Sequence, residues 1–190
     1  MPMPQKNAEY KYTYADYCSW DDDERWELID GVPYAMSPAP RREHQEILGE
    51  LFAQLREYLK CKPCKVFIAP FDVRLNADDD DGTVVQPDIV VVCDRSKLDE
   101  RGCKGAPDLL IEITSPSTAR HDRVTKLNKY QQAGVREYWI VDPDTKTVQV
   151  CVFERGGVWG YDDTNTAPVS VLPGCEINLS DVFAAADDSE

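Results

Sequence analysis

The sequence predicts a single α/β domain with a central mixed β-sheet flanked by helices. Three observations point there. Apolar, β-branched runs recur at 64–75, 86–94, 108–115 and 137–143. Two longer stretches, 37–60 and 115–135, carry helical spacing, and helices interleaved with strands build such a layered fold. The chain has 190 residues, 42% hydrophobic and 29% charged, which suits one domain with one full core. We expect a flexible N-terminal lead at 1–12, the domain at 13–183 and an acidic tail at 184–190.

The elements follow in order. "TYADYCSW" starts a short helix with Thr13 as its cap. "RWELIDGVPYAMS" alternates around Asp30-Gly31, a two-residue hairpin signal, so strands are expected near 26–30 and 33–37. In 37–60, Ile47, Leu48, Leu51, Leu55, Tyr58 and Leu59 recur at helical spacing. "CKVFIAPFDVRL" (64–75) reads as one strand, with 76–82 as its exit turn. "QPDIVVVCD" reads as a strand opened by Pro87. A polar loop is expected over 94–106. "DLLIEITS" is apolar on both sides of Glu112, as a buried strand is. "SPSTARHDRVTKLNKYQQAGV" reads as a helix capped by Ser117 and stopped at Gly134. "EYWIVDP" is a buried strand, and a hairpin leads to another at 147–154. Short β pieces and a closing turn complete the chain.

Composition narrows the function. No apolar run is long enough to span a membrane. The N-terminus has no apolar leader segment, so the cytoplasm is the expected compartment. The net charge of −14 argues against loose, non-specific DNA binding. Its acidic runs at 21–24, 78–81, 162–163 and the tail read as solvated loop charge. Of seven cysteines, Cys93 and Cys151 read as small core residues. Cys61 and Cys64 form a C-x-x-C, readable as half a zinc site, a redox pair or plain loop cysteines.

Two strands that look central each carry a carboxylate, Asp88 and Glu112. Buried acids need partners. On adjacent strand ends the two could face the same side, where they would repel. A divalent cation removes that cost, and hard oxygen ligands suit Mg²⁺ or Mn²⁺. Such an ion could activate water toward a phosphodiester. A lysine near the scissile phosphate would stabilise the developing charge or help deprotonate the water. Lys126 is the candidate, at the edge of an apolar stripe formed by Val124, Leu127 and Tyr130; Lys129 is less favoured. Gln86 could support the metal shell or simply face solvent, His44 and His121 read as surface or capping residues, and His44 could also reach a phosphate. Arg120 and Arg123 could meet a phosphate backbone or pair with neighbouring acids. Tyr130, Tyr138 and Trp139 read as core.

"PDIVVV", "IEITSPST" and "HDRVTKLNKYQQAGVREYWIVDP", with "WELIDGVPYAMSPAP" and "HQEILGELFAQL", resemble the Uma2 endonuclease family (the DUF820 proteins), which is similar to the PD-(D/E)xK nucleases. The resemblance spans about 13–183 and implies a restriction-endonuclease-like fold. It implies Asp88 and Glu112 as metal ligands, Mg²⁺ or Mn²⁺ as cofactor and DNA as substrate. The usual lysine position, two residues after the second acid, holds Thr114. The resemblance moves that lysine to Lys126. It adds Glu27 as a site acid that would ligate a second metal or hold Lys126. The expected activity is metal-dependent endonuclease cleavage of DNA. Its rivals are a non-catalytic nucleic-acid-binding or assembly module of the same fold, and a phosphohydrolase of small nucleotides. A homodimer would suit cleavage of both strands, although no seam for one is legible.

Overall fold

The computed structural model describes residues 10–20, 24–36, 39–76, 81–115 and 121–187. Helix α1 (Tyr14–Tyr17) opens on a capping box. The Thr13 hydroxyl accepts from the Asp16 amide and the Asp16 carboxylate accepts from the Thr13 amide. Strands β1 (Trp26–Ile29) and β2 (Val32–Ala35) form the expected hairpin. Its turn needs two left-handed residues, and Asp30 and Gly31 have φ of 52° and 74°. Helix α2 (Arg42–Tyr58) buries Ile47, Leu48, Leu51 and Leu55 along one stripe.

The run 64–75 is two strands, not one. Strand β3 (Lys65–Ile68) and strand β4 (Asp72–Arg74) belong to different sheets, separated by a cis Ala69–Pro70 bond. Pro70 has no N–H to give to a ladder, so pairing stops there. Next come β5 (Val84–Val85) and β6 (Ile89–Val92). The expected polar loop 94–106 instead holds two short strands, β7 (Leu98–Asp99) and β8 (Gly102–Lys104). Strand β9 (Leu109–Ile113) is followed by a π-helical stretch, His121–Lys126, which runs into α3 (Leu127–Ala133) and stops at left-handed Gly134. The Ser117 cap, Arg120 and the His121 side chain lie outside the described residues.

Strands β10 (Glu137–Asp142), β11 (Thr147–Val152) and β12 (Gly157–Asp162) form a meander. Strands β13 (Thr166–Pro168) and β14 (Glu176–Asn178) pair with each other, and the expected closing turn is a helix, α4 (Leu179–Asp187). Val182 and Phe183 are the buried apolar side of that helix.

Two six-stranded sheets result, where one was expected. The larger runs β12-β11-β10-β9-β6-β3 and is mixed, because β9 and β10 are parallel and its other neighbours antiparallel. The smaller runs β2-β1-β5-β4-β8-β7. Side chains alternate across a strand, so the larger sheet has two apolar faces. Ile89, Val91, Leu109, Ile111, Trp139 and Val150 pack with α2 and α4. Val90, Val92, Leu110, Tyr138 and Ile140 pack with Tyr130 of α3 and with the smaller sheet. By the same alternation Asp88 and Glu112 share the parity of the second face. No helix among the described residues is long and apolar enough to cross a membrane.

Two sequence expectations about individual residues change. Cys93 is not a free core thiol, because it is disulfide-bonded to Cys64; Cys61, the other cysteine of the C-x-x-C, is free and exposed, as a loop cysteine is. The cause is register, since Lys65 opposes Val92 and the next pair outward is therefore 64 with 93. Asp81, read as solvated, is buried and accepts backbone N–H bonds from Asn76 and Thr83 at 3.1 and 2.8 Å.

Gly102 joins β8 to β4 at a point where only glycine fits. Its φ is +144°, and an added Cβ would lie 2.1 Å from the Asp72 carbonyl oxygen. Gly102→Ala is expected to cost on the order of 2–4 kcal/mol, from the forbidden backbone region together with the clash. Urea unfolding measures it; a cost below about 0.5 kcal/mol, the range of ordinary surface changes, contradicts this account.

Candidate active site

Asp88 lies one residue before β6 and Glu112 within β9. The antiparallel register pairs Ile89 with Ile111 and Val90 with Leu110, so continuing it sets 88 opposite 112. Both acids therefore meet at one end of the strand pair, on the face covered by α3.

Each acid is pinned through one oxygen. Oδ2 of Asp88 accepts the Ile113 amide at 2.8 Å and lies 3.2 Å from Nε2 of His44. Oε1 of Glu112 accepts from the Lys126 ammonium and the Tyr130 hydroxyl, each at 2.8 Å. The second oxygen of each has no hydrogen bond among the described residues. Nδ1 of His44 is buried and has no partner among them.

Lys126 is the hub. Its Nζ donates to Glu112 and Glu27, both at 2.8 Å, and lies 3.7 Å from Asp122. It is buried, not at the edge of an apolar stripe; Val124, expected on that stripe, is 54% exposed. Helix phase explains the exchange. Residues 121–126 wind as a π-helix, whose i→i+5 bonding widens the turn. Asp122, Lys126 and Tyr130, four residues apart, all turn inward and are buried. Tyr138 of β10 donates to the Asp122 carbonyl at 3.3 Å and meets Tyr130 edge-on, with ring centroids 4.8 Å apart. Lys129 points elsewhere, to Asp30 of the hairpin turn at 2.7 Å. Thr114, two residues after Glu112, donates to the Val141 carbonyl at 3.2 Å.

Glu27 comes from the smaller sheet. The backbone amide of Gln86 donates to its Oε1 at 3.0 Å. The Gln86 side chain is fixed in turn: its oxygen accepts from Arg25 at 2.6 and 3.0 Å, and its nitrogen donates to Tyr17 and Asp72 at 2.9 Å. Local sequence pattern does not mark Tyr17, Arg25, Asp72 or Asp122 as site residues, and it marks Tyr130 as core alone. Only the i, i+4 spacing of Asp122, Lys126 and Tyr130 signalled any of them.

Charge dominates this arrangement. Burial draws the Lys126 ammonium down, but the carboxylates of Glu112, Glu27 and Asp122 outweigh it and hold its pKa well above the ordinary lysine value. Burial pushes the Glu112 carboxyl well above the usual carboxylate range. Lys126 opposes that, and Asp122, Asp88 and Glu27 add to it. One ammonium cannot balance four acids, so the site carries surplus negative charge, which a proton or a cation would relieve. Among the described residues no group of three or more His, Cys, Asp or Glu side chains forms a metal cage. Asp88 and Glu112 are the two oxygen donors there that could hold an ion, and ions that take only two protein carboxylates keep waters for the rest of their shell. Arg123 pairs with Asp142 at 2.6 Å.

This architecture defines an α/β protein of nuclease-like fold. It resembles the crystal structure of "a putative nuclease belonging to DUF820" from Anabaena variabilis ATCC 29413, with a TM-score of 0.75 and 22% identity over 92% of this chain and 98% of that one. The chain belongs to the Uma2 family, described as "Putative restriction endonuclease", whose model matches residues 13–182. No curated protein sequence matches it. Family membership supports a nuclease.

Proposed function

We propose that the protein is a Mg²⁺- or Mn²⁺-dependent endonuclease that hydrolyses DNA phosphodiester bonds. The observation that carries this reading is the register that sets Asp88 opposite Glu112, with Lys126 hydrogen-bonded to Glu112. Asp88 and Glu112 would hold the ion through their unbonded oxygens. When bound, the ion supplies charge stabilisation at the phosphoryl oxygens and a water of lowered pKa.

The chain's own residues do the rest. The Ile113 amide and His44 hold Asp88, while Tyr130 and Lys126 hold Glu112. A lysine kept charged by three acids is a poor base. Lys126 therefore stabilises charge: two of its three N–H donors reach Glu27 and Glu112, and the third serves the phosphoryl oxygen. Glu27 orients Lys126. Hydrolysis adds water across the P–O bond, leaving a phosphate monoester on one product and a hydroxyl on the other.

The test combines binding and cleavage. Mn²⁺ titrated by calorimetry into the wild-type protein should bind at about one site, and Asp88→Ala should remove that heat. Plasmid DNA should be nicked only with Mg²⁺ or Mn²⁺. Metal binding without cleavage of plasmid, single strands or nucleotides would leave a non-catalytic module. Cleavage confined to nucleotides would favour a small-molecule phosphohydrolase, a reading the net charge of −14 suits.

A further inference from the structure

The register that aligns the two acids continues across the larger sheet. Glu112 opposes Ile140, Ile140 opposes Gln149, and Gln149 opposes Gly160. Directly opposed residues share a face, so this row leads away from Glu112 on the catalytic side. At about 4.8 Å per strand, Gly160 stands roughly 15 Å from Glu112 along the row. Beyond Ile140 the surface opens into a cleft of about 430 Å³, lined by Arg123, Gln149, Val158 and Gly160 among others. That volume lies within the roughly 300–1,000 Å³ of small-ligand pockets.

The lining is chemically mixed. Val158 supplies apolar surface and is 62% exposed, while Ile140 closes the inner end from the core. The Gln149 amide nitrogen has one long contact, 3.7 Å to the Cys151 sulfur, and its oxygen accepts no hydrogen bond among the described residues. Arg123 sits on the same π-turn as Lys126, with a half-exposed guanidinium. Gly160 leaves the floor open, since an added Cβ would meet nothing within 4 Å.

We propose that this cleft is a nucleoside subsite. It seats the base and sugar of a nucleotide flanking the phosphodiester at Asp88 and Glu112, and in naming that neighbour it rests on the nuclease reading. The exposed Val158 side chain receives one face of the base. The Gln149 amide, a donor and an acceptor side by side, reads the base edge. Arg123 meets the phosphate. A grip on one nucleotide also suits a chain too acidic for a long basic groove.

The test uses the full chain labelled with ¹⁵N, without metal. Deoxyadenosine monophosphate and a short single-stranded oligonucleotide should each give saturating shifts at the Thr147, Gln149 and Gly160 amides. Gly160→Trp puts an indole into the cleft on an edge strand that tolerates aromatics, and should abolish those shifts while leaving Tm and Mn²⁺ affinity unchanged. Gln149→Ala, a second variant that removes only the amide, should weaken binding on the order of tenfold, about one lost hydrogen bond. In cleavage, Gly160→Trp should raise KM at least tenfold and lower kcat less. Absent or scattered shifts in the wild type, or a folded Gly160→Trp that binds like it, overturn the subsite. Saturating shifts in a protein that cuts nothing would uphold the subsite and sink the nuclease reading.

Discussion

Glu112→Ala is expected to lower metal-dependent DNA cleavage by about 10²–10³-fold, the scale seen when a preorganised charge-stabilising group is removed. The size follows from how many roles meet at one carboxylate. Glu112 offers one oxygen to the proposed ion and holds Lys126 and Tyr130 with the other. Alanine removes the ligand and frees the lysine together. Glu112→Gln separates the two: its amide oxygen still accepts from Lys126 and Tyr130, but the charge is gone. It should bind Mn²⁺ weakly and cleave almost as poorly as the alanine variant, with a Tm near the wild type. Plasmid nicking measures both. Undiminished cleavage by purified Glu112→Ala removes this residue from the mechanism.

Lys126→Met is expected to destabilise the protein by about 3–5 kcal/mol, the usual cost of breaking a buried ion pair from one side. Methionine fills similar space but leaves Glu27, Glu112 and Asp122 without the ammonium they surround. The sign of the pH dependence follows. The folded-state pKa of Lys126 lies well above the ordinary 10.5, so its stabilisation is complete below about pH 10.5 and is lost as pH rises through the folded value. Across neutral pH the wild type therefore keeps the full contribution. Adding Glu27→Gln to Lys126→Met should recover part of the loss, because one stranded charge is gone. Chemical denaturation of the four proteins of that cycle measures the coupling. A Lys126→Met protein within 1 kcal/mol of wild type would mean the acids do not need the lysine.

Much of the fold is legible in local pattern. The Asp30-Gly31 turn, the stripe of α2 and the apolar runs of β6, β9 and β10 follow from turn chemistry and side-chain period. The acids stand out for the same reason, since a charge in a buried strand is costly and so conspicuous. The fold departs from local pattern where distant segments decide. The split at Pro70 and the strands inside 94–106 depend on the smaller sheet, whose two- to four-residue strands are too short to show a period.

By itself the sequence determined that Asp88 stands at the mouth of one central strand and Glu112 inside another, with a helical lysine soon after, because alternation and spacing are properties of neighbours along the chain. Tertiary structure alone decided the rest. The π-helical turn chose Lys126 over Val124 for the interior. Packing of the smaller sheet brought Glu27 to that lysine across 99 positions of chain. Strand register turned Cys64 and Cys93 into a disulfide and ran a row from Glu112 to Gly160. Contacts of this kind depend on the register and layering of segments far apart in sequence, which no local period encodes.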